Sequence, residues 1–232
     1  MIKKLLAVLP FVIAPLAIAN EATTLPQEAT SIYGQPSSSA RIDKKNPYVM
    51  IKKVAELTFK RFANEQSAIR ETPNLLKTIV GEELMPYIDY KYSAYKVIGA
   101  KNFKKTTNAE RKAFIPVFRD YLITSYAQVF TLYKQQKVTF EPAKKLKNEK
   151  IVSVNTAVIE PGRDPINISF RVRKNKKTND WKAYDMVAEG VSLLDSKQVE
   201  LASIIRKKGL THVTNMLKEK SKKNIVFKSR SN

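Results

Sequence analysis

The chain has 232 residues, 43% of them apolar, and 42 Lys and Arg set against 21 Asp and Glu give it a formal net charge of +21. That length and apolar share suffice for one sizeable core, and the charge points to phosphate-bearing or acidic partners. With no cysteine and a single histidine, disulfides, thiol nucleophiles and the usual zinc sites are excluded.

Lys3 and Lys4 precede an apolar run, Leu5 to Leu16, interrupted by Pro10 and Pro15. Ala17-Ile18-Ala19 then has the small-x-small pattern of a cleavage site. Residues 1–19 read as a secretory signal peptide, too short and too directly followed by polar sequence to be a membrane span. Export predicts a periplasmic location and argues against nucleic acid as a partner. Residues 20–45, rich in Thr, Ser, Pro and Gln, read as a flexible leader.

Asn46 as a cap and Pro47 in the first turn open a helix whose Met50, Ile51, Val54, Thr58, Phe59 and Phe62 share one face. Thr72-Pro73 opens a second, with Leu76, Ile79, Val80 and Leu84 on its apolar face, ending near Pro86 and weakened by Gly81. A third spans 87–98, with Gly99 as its stop. Thr107 and Glu110 form a capping box at the head of a long helix reaching about Tyr133. Its stripe is wide and aromatic: Phe114, Val117, Phe118, Tyr121, Leu122, Tyr126, Val129, Phe130 and Tyr133. Pro116 lies early enough to bend this helix without breaking it.

Period two then takes over in 138–140, 151–159, 166–174 and 181–188, which read as strands. Short turns between them imply an antiparallel meander. A last helix runs from about 196 to 208, stops at Gly209 and resumes over 211–221, before a basic tail at 222–232. Helices, meander and helices make a single α+β domain over 46–221.

Chemistry-bearing patterns are sparse. No phosphate loop, dinucleotide fingerprint or nucleophile elbow is present. Glu82-Glu83 and the pair Asp185 and Glu189 are the candidate carboxylates, but among 42 basic residues Asp185 reads as an ion-pair partner. His212 reads as a cap or surface group, and the acceptor-like Asn167-Ile168-Ser169 falls within a predicted strand. The expectation is a protein with no catalytic residues, metal or cofactor. Lysine runs at 144–145, 176–177, 207–208 and 220–223 make a positive exterior. The aromatics sit on a helical stripe instead of alternating with lysine on strands, which disfavours single-strand binding.

The passage Trp181-Lys-Ala-Tyr184-Asp185-Met-Val-Ala-Glu189-Gly190-Val191-Ser192 resembles the signature of the MlaC family, periplasmic phospholipid carriers of the system that maintains outer-membrane lipid asymmetry. Collinear pieces agree: Asn46-Pro47-Tyr48, Asn64-Glu65-Gln66, Thr78-Ile79-Val80, Pro86-Tyr87 with Lys91-Tyr92, Glu110-Arg111, Phe118-Arg119 with Tyr121-Leu122 and Tyr126, and Ser196-Lys197-Gln198. Many members carry a Tyr-Arg pair where this chain has Lys197-Gln198.

The resemblance implies a nuclear-transport-factor-like fold, with a curved antiparallel sheet and helices packed over its concave face. It implies an apolar cavity that takes the acyl chains of a phospholipid and leaves the head group near solvent. It also implies a monomer that docks transiently with an outer-membrane lipoprotein–porin complex and with an inner-membrane ABC transporter through its ring subunit. In that frame the expected cavity lining is Phe114, Phe118, Tyr121, Leu122, Tyr126, Val129, Phe130 and Tyr133 from the long helix, with Val154, Ile168, Phe170 and Val187 from the strands. Tyrosines suit a cavity mouth, since each needs a partner for its hydroxyl. An exported polyanion-binding or adaptor protein without lipid cargo is the alternative.

Overall fold

The Asn46 side chain accepts hydrogen bonds from the amides of Tyr48 (3.0 Å) and Val49 (3.2 Å), so the first helix opens where its sequence predicts. The computed structural model describes residues 42–134 and 136–227. The expected signal peptide, most of the expected leader and the last five residues of the tail lie outside the described residues. Among the described residues no helix is long and apolar enough to cross a membrane.

Helix α1 (Pro47–Asn64) is followed by the short α2 (Gln66–Glu71) and α3 (Leu75–Ile79). A π-helical turn, Val80–Leu84, and a 3₁₀ turn, Met85–Tyr87, come next. The one helix expected from Thr72 to Pro86 is thus three pieces. Gly81 lies in the wide turn, and Pro86 cannot donate to a continuing helical ladder. The π turn presents two successive carboxylates to one guanidinium: Arg61 donates to Glu82 at 2.6 Å and to Glu83 at 2.9 Å.

Asp89 caps α4 (Tyr90–Ile98) and also accepts from Arg173 at 2.5 Å. After α5 (Ala100–Phe103), the reciprocal Thr107–Glu110 capping box starts α6 (Asn108–Phe130), three residues shorter at its C-terminus than expected. Strands β1 (Lys137–Phe140), β2 (Ile151–Ile159), β3 (Ile166–Lys174), β4 (Trp181–Ala188) and β5 (Val191–Ser192) form an open antiparallel meander in chain order. The last helix, α7 (Leu193–Ser221), is kinked at Gly209, where φ is 83°.

Two apolar clusters organise these elements. In the first, Tyr48, Met50, Ile51 and Val54 of α1 pack on Val154, Val172, Trp181 and Ala183 of the sheet. In the second, α4, α6 and α7 bury Val97, Ile98, Phe114, Phe118, Leu201 and Leu210 against one another, with Tyr184 of β4 at the margin. Asp185 joins sheet to helices. Its buried carboxylate accepts from the Leu194 amide at 3.0 Å, from the Ser192 hydroxyl at 2.8 Å and from Arg171 at 3.2 Å. It thereby satisfies an orphan amide in the first turn of α7 and gives a physical reason for the Tyr184-Asp185 to Ser192 signature.

Both ends of the described chain are tied down further than composition suggests. Trp181 donates its amide to the Lys44 carbonyl at 2.8 Å, and Lys45 pairs with Asp180 at 2.8 Å. Residues 42–45 therefore run beside β4, although they read as the end of a leader. The expected boundary at Ser221 likewise does not end the packed chain, since Ile225 is buried.

Candidate functional site: an aromatic-lined cavity

The C-terminal ends of α1 and α6 bring four rings together. Phe59 stacks on Tyr133 with centroids 4.5 Å apart, and Phe62 meets Phe130 at 4.8 Å. Edge contacts link Phe59 to Phe62 at 6.2 Å and to Phe130 at 6.3 Å. Aromatic pairs in these geometries add about 0.5–1.5 kcal/mol each beyond area burial. Beside them opens a cavity of about 530 Å³ lined by Phe62, Ala63, Gln66, Ile69, Arg70, Leu76, Phe130, Thr131, Tyr133, Lys134 and Phe227. That volume is in the range of small-molecule sites, but the recess is open: Ala63, Gln66, Arg70, Lys134 and Phe227 of its lining are exposed, and Gln66, Arg70, Thr131, Tyr133 and Lys134 put polar groups among its rings and aliphatic side chains. Arg70 and Lys134 are exposed and put cationic groups at its rim. Burial pushes the Tyr133 hydroxyl pKa upward, so the hydroxyl is neutral near neutral pH.

Phe227 reaches this cavity because the tail is strapped down. Gln128 brackets Val226, donating to its carbonyl at 2.8 Å and accepting its amide at 3.3 Å. Asn74 accepts the Ile225 amide at 2.9 Å. Lys77 donates to the carbonyls of Ser221 at 3.1 Å and Lys223 at 2.6 Å, and burial lowers its pKa. On the other flank, burial opposes the charge on Arg61, but hydrogen bonds to Glu65, Glu82 and Glu83 outweigh it and raise its pKa. Glu82 and Glu83, read as candidate carboxylates, thus anchor the C-terminal part of α1 on the π turn.

The expected lining divides. Phe130 and Tyr133 line the cavity. Phe114, Phe118 and Tyr121 do not: they are buried in the α4–α6–α7 cluster, with Phe114 at 0% and Phe118 at 1% exposure, and Leu122 packs against it. The stripe is wide because it serves a three-helix core over its first half. Val129 is 38% exposed, on the solvent side of the stripe. Tyr126 is only half-buried, yet desolvation, with help from Asp185 and Tyr121, pushes its hydroxyl up to about 12. Tyr126 is not among the residues that line the cavity.

None of the strand residues lines this cavity. Val154 is core beneath α1, and Phe170 packs beside it. Ile168 is half-buried, facing Thr156 across the ladder. Val187 stands on the other face of the sheet. A bulge in β4 opposite Arg171 and Val172 shifts its parity, so Met186 and Ala188 pair with Phe170 and Ile168 while Val187 pairs with Ser169. Val187 therefore points to the face opposite the one that Ile168 and Phe170 share. Of the candidate carboxylates, Asp185 caps α7 and Glu189 accepts the Asn167 amide at 2.5 Å.

Sequence reasoning missed Ala63, Gln66, Ile69, Arg70, Leu76, Thr131, Lys134 and Phe227, and took Phe59 and Phe62 only as a helix face. The Phe59–Phe62 pair, two rings at i and i+3 ending a helix, was the available signal. Phe227 had none, being hidden in a tail that reads as basic. Lys197 and Gln198, the departure from the family pattern, lie where α7 crosses α4. Lys197 pairs with Glu200 at 2.5 Å and stands 5.3 Å from the Tyr121 ring centroid. Gln198 fills the space beside Gly99.

Known proteins resemble this chain in sequence and in fold. Residues 52–219 match the family model described as MlaC protein. The intermembrane phospholipid transport system binding protein MlaC of Haemophilus influenzae is 32% identical over 187 residues, 80% of this chain and 87% of that protein. A phospholipid-binding protein from Ralstonia solanacearum, solved in complex with a phospholipid, superposes with a TM-score of 0.66 at 20% identity, over 76% of this chain and 97% of that one. This chain belongs to the MlaC family.

Proposed function

We propose that the chain is a soluble phospholipid carrier that shuttles lipid across the periplasm between outer-membrane and inner-membrane complexes and catalyses no reaction. The carrying observation is the cavity of about 530 Å³, with rings and aliphatic side chains inside and Arg70 and Lys134 at its rim. The apolar part of that lining suits acyl-chain surface, and the rim cations suit a phosphate head group. Phospholipid is the cargo, and no cofactor or metal is needed for this task. Residues 1–19 supply the export signal. An outer-membrane lipoprotein–porin complex and an inner-membrane ABC transporter with a periplasmic ring subunit are the docking partners.

Magnitudes explain why lipid needs a carrier and why release needs a partner. Two acyl chains carry roughly 30 methylenes at about 0.8 kcal/mol each, on the order of 20 kcal/mol against exposure to water. Lipid so held does not escape into buffer on a useful timescale; it transfers where a second apolar surface receives the chains. Native mass spectrometry of gently purified protein, followed by lipid extraction, tests this. Phospholipid near one per chain is expected. Protein that stays lipid-free after incubation with phospholipid vesicles would replace the carrier by the polyanion-binding reading. Rapid loss of bound lipid into buffer would remove the need for docked release.

A further inference from the structure

The segment from Gly99 to Lys112 is pinned against α7 at three points far from the cavity. Gln198 lies so close over Gly99 that a Cβ there would meet its Nε2 at 2.5 Å. Asn102 donates to the Ala202 carbonyl at 3.4 Å, and Thr211 donates to Glu110 at 3.4 Å. The last two pins bracket residues 202–211 of α7, which include the kink at Gly209. Exposed cations stand on both segments: Lys101, Lys104, Lys105 and Lys112 on one, Arg206, Lys207 and Lys208 on the other. None of these seven side chains forms an ion pair among the described residues. Glu110 is the one acid in either segment, and it is committed to its capping box. Two rings stand exposed beside these charges, Tyr95 and Phe103, edge to face at 5.7 Å, with Arg111 stacked 4.1 Å over Phe103.

We infer that this basic corner is a docking surface for an anionic lipid bilayer. Six of the seven cations are lysines, compact charges on flexible stems. They suit a diffuse layer of phosphates better than the planar carboxylates of an acidic protein, which favour arginine. The one nearby arginine of the α6 cap, Arg111, is already spent on the carbonyls of Phe103 and Thr106. Exposed Tyr and Phe among lysines are the composition of an interfacial anchor, with rings at head-group level and charges over the phosphates. The corner also has a defined position. It sits at the N-terminal end of α6, whereas the cavity sits at the C-terminal end, roughly 34 Å away along the 23-residue helix. Docking by this corner holds the protein at a leaflet with its cavity turned outward. The corner therefore tethers the protein and does not deliver lipid, whatever the cavity carries.

Co-sedimentation of the mature chain with vesicles tests this, using phosphatidylcholine alone and phosphatidylcholine with about a quarter phosphatidylglycerol. Binding is expected only to the anionic vesicles and is expected to weaken as salt rises from about 50 to about 300 mM. The variant Lys104→Gln, Lys105→Gln, Lys207→Gln, Lys208→Gln is expected to bind roughly a thousandfold more weakly, with an unchanged melting temperature because all four side chains are exposed. A control with the same loss of charge near the sheet, Lys145→Gln, Lys150→Gln, Lys176→Gln, Lys177→Gln, is expected to lose less than about threefold. Equal losses in the two variants would show that net charge acts, with no corner involved. Failure of the native chain to bind anionic vesicles, while an acidic protein competes for the same lysines, would assign the surface to a protein partner and end the bilayer reading.

Discussion

The two halves of α6 carry the same kinds of residue and do different work. Phe114, Phe118 and Tyr121 lie in the first half, closed in by α4 and α7. Phe130 and, just past the helix, Tyr133 lie at the other end, where α1 and the tail leave a cavity between them. The rings are alike; what differs is how completely neighbouring elements cover them. At the first end α4 and α7 bury Phe114 and Phe118 almost completely. At the second, the chain between α1 and α4 is cut into short helices and a π turn, which cannot close over the rings. Helical spacing identifies a buried stripe, but the completeness of burial is decided by the partners.

Truncation at the packed end is the most damaging test of that contrast. Phe118→Ala removes a ring with 1% exposure and is expected to cost about 3–5 kcal/mol. Urea unfolding measures it, and a loss under about 1 kcal/mol would mean the first half of α6 is no core. The same cluster depends on the close approach of α7 to Gly99, whose φ of 75° and ψ of 152° suit glycine almost alone. Gly99→Ala meets Gln198 as well as that strain, and about 1–3 kcal/mol of destabilisation is expected. A variant as stable as the parent would show that the crossing of α4 and α7 is loose.

At the cavity end the readouts separate. Phe130→Ala removes a half-buried ring and is expected to cost only about 1–2 kcal/mol, because part of that surface already faces open space. Its larger effect falls on cargo: lipid recovered per chain is expected to drop at least twofold, whereas Phe118→Ala at a temperature where it stays folded keeps its lipid. Should the two substitutions lower lipid content equally, the halves of the helix would not differ in function.

Much of this fold is legible in the sequence because its signals are local. The Asn46 cap, the Thr107–Glu110 box, the kink at Gly209 and the period-two strands each depend on a few neighbouring residues, and each is where its spacing places it. The candidate site is less legible because it depends on long-range events. Val187 carries the right alternation, but a bulge between Ala183 and Met186 turns it to the other face. Phe114 and Phe118 belong to the right stripe, but α7, some 80 residues later, covers them. Phe227 joins the cavity through hydrogen bonds from Asn74 and Gln128 to its neighbours in the chain, a bracket that no pattern around residue 227 announces.

Tyr126 lies between the two halves, and titration sharpens the comparison there with the smallest perturbation. Its hydroxyl pKa is about 12 in the folded chain against 10.0 for an ordinary tyrosine, with desolvation the main cause and the Asp185 carboxylate and Tyr121 adding to it. The folded state therefore keeps a proton that the unfolded chain releases above pH 10. Stability from this preference is fully present below pH 10 and is lost as pH rises toward 12. At about pH 11 the loss amounts to roughly 1 kcal/mol. Tyr126→Phe cannot ionise, so its unfolding free energy is expected to fall less steeply than that of the parent between pH 10 and 12, with little difference at pH 7. Parallel pH profiles for parent and variant would mean that Tyr126 titrates as if in water.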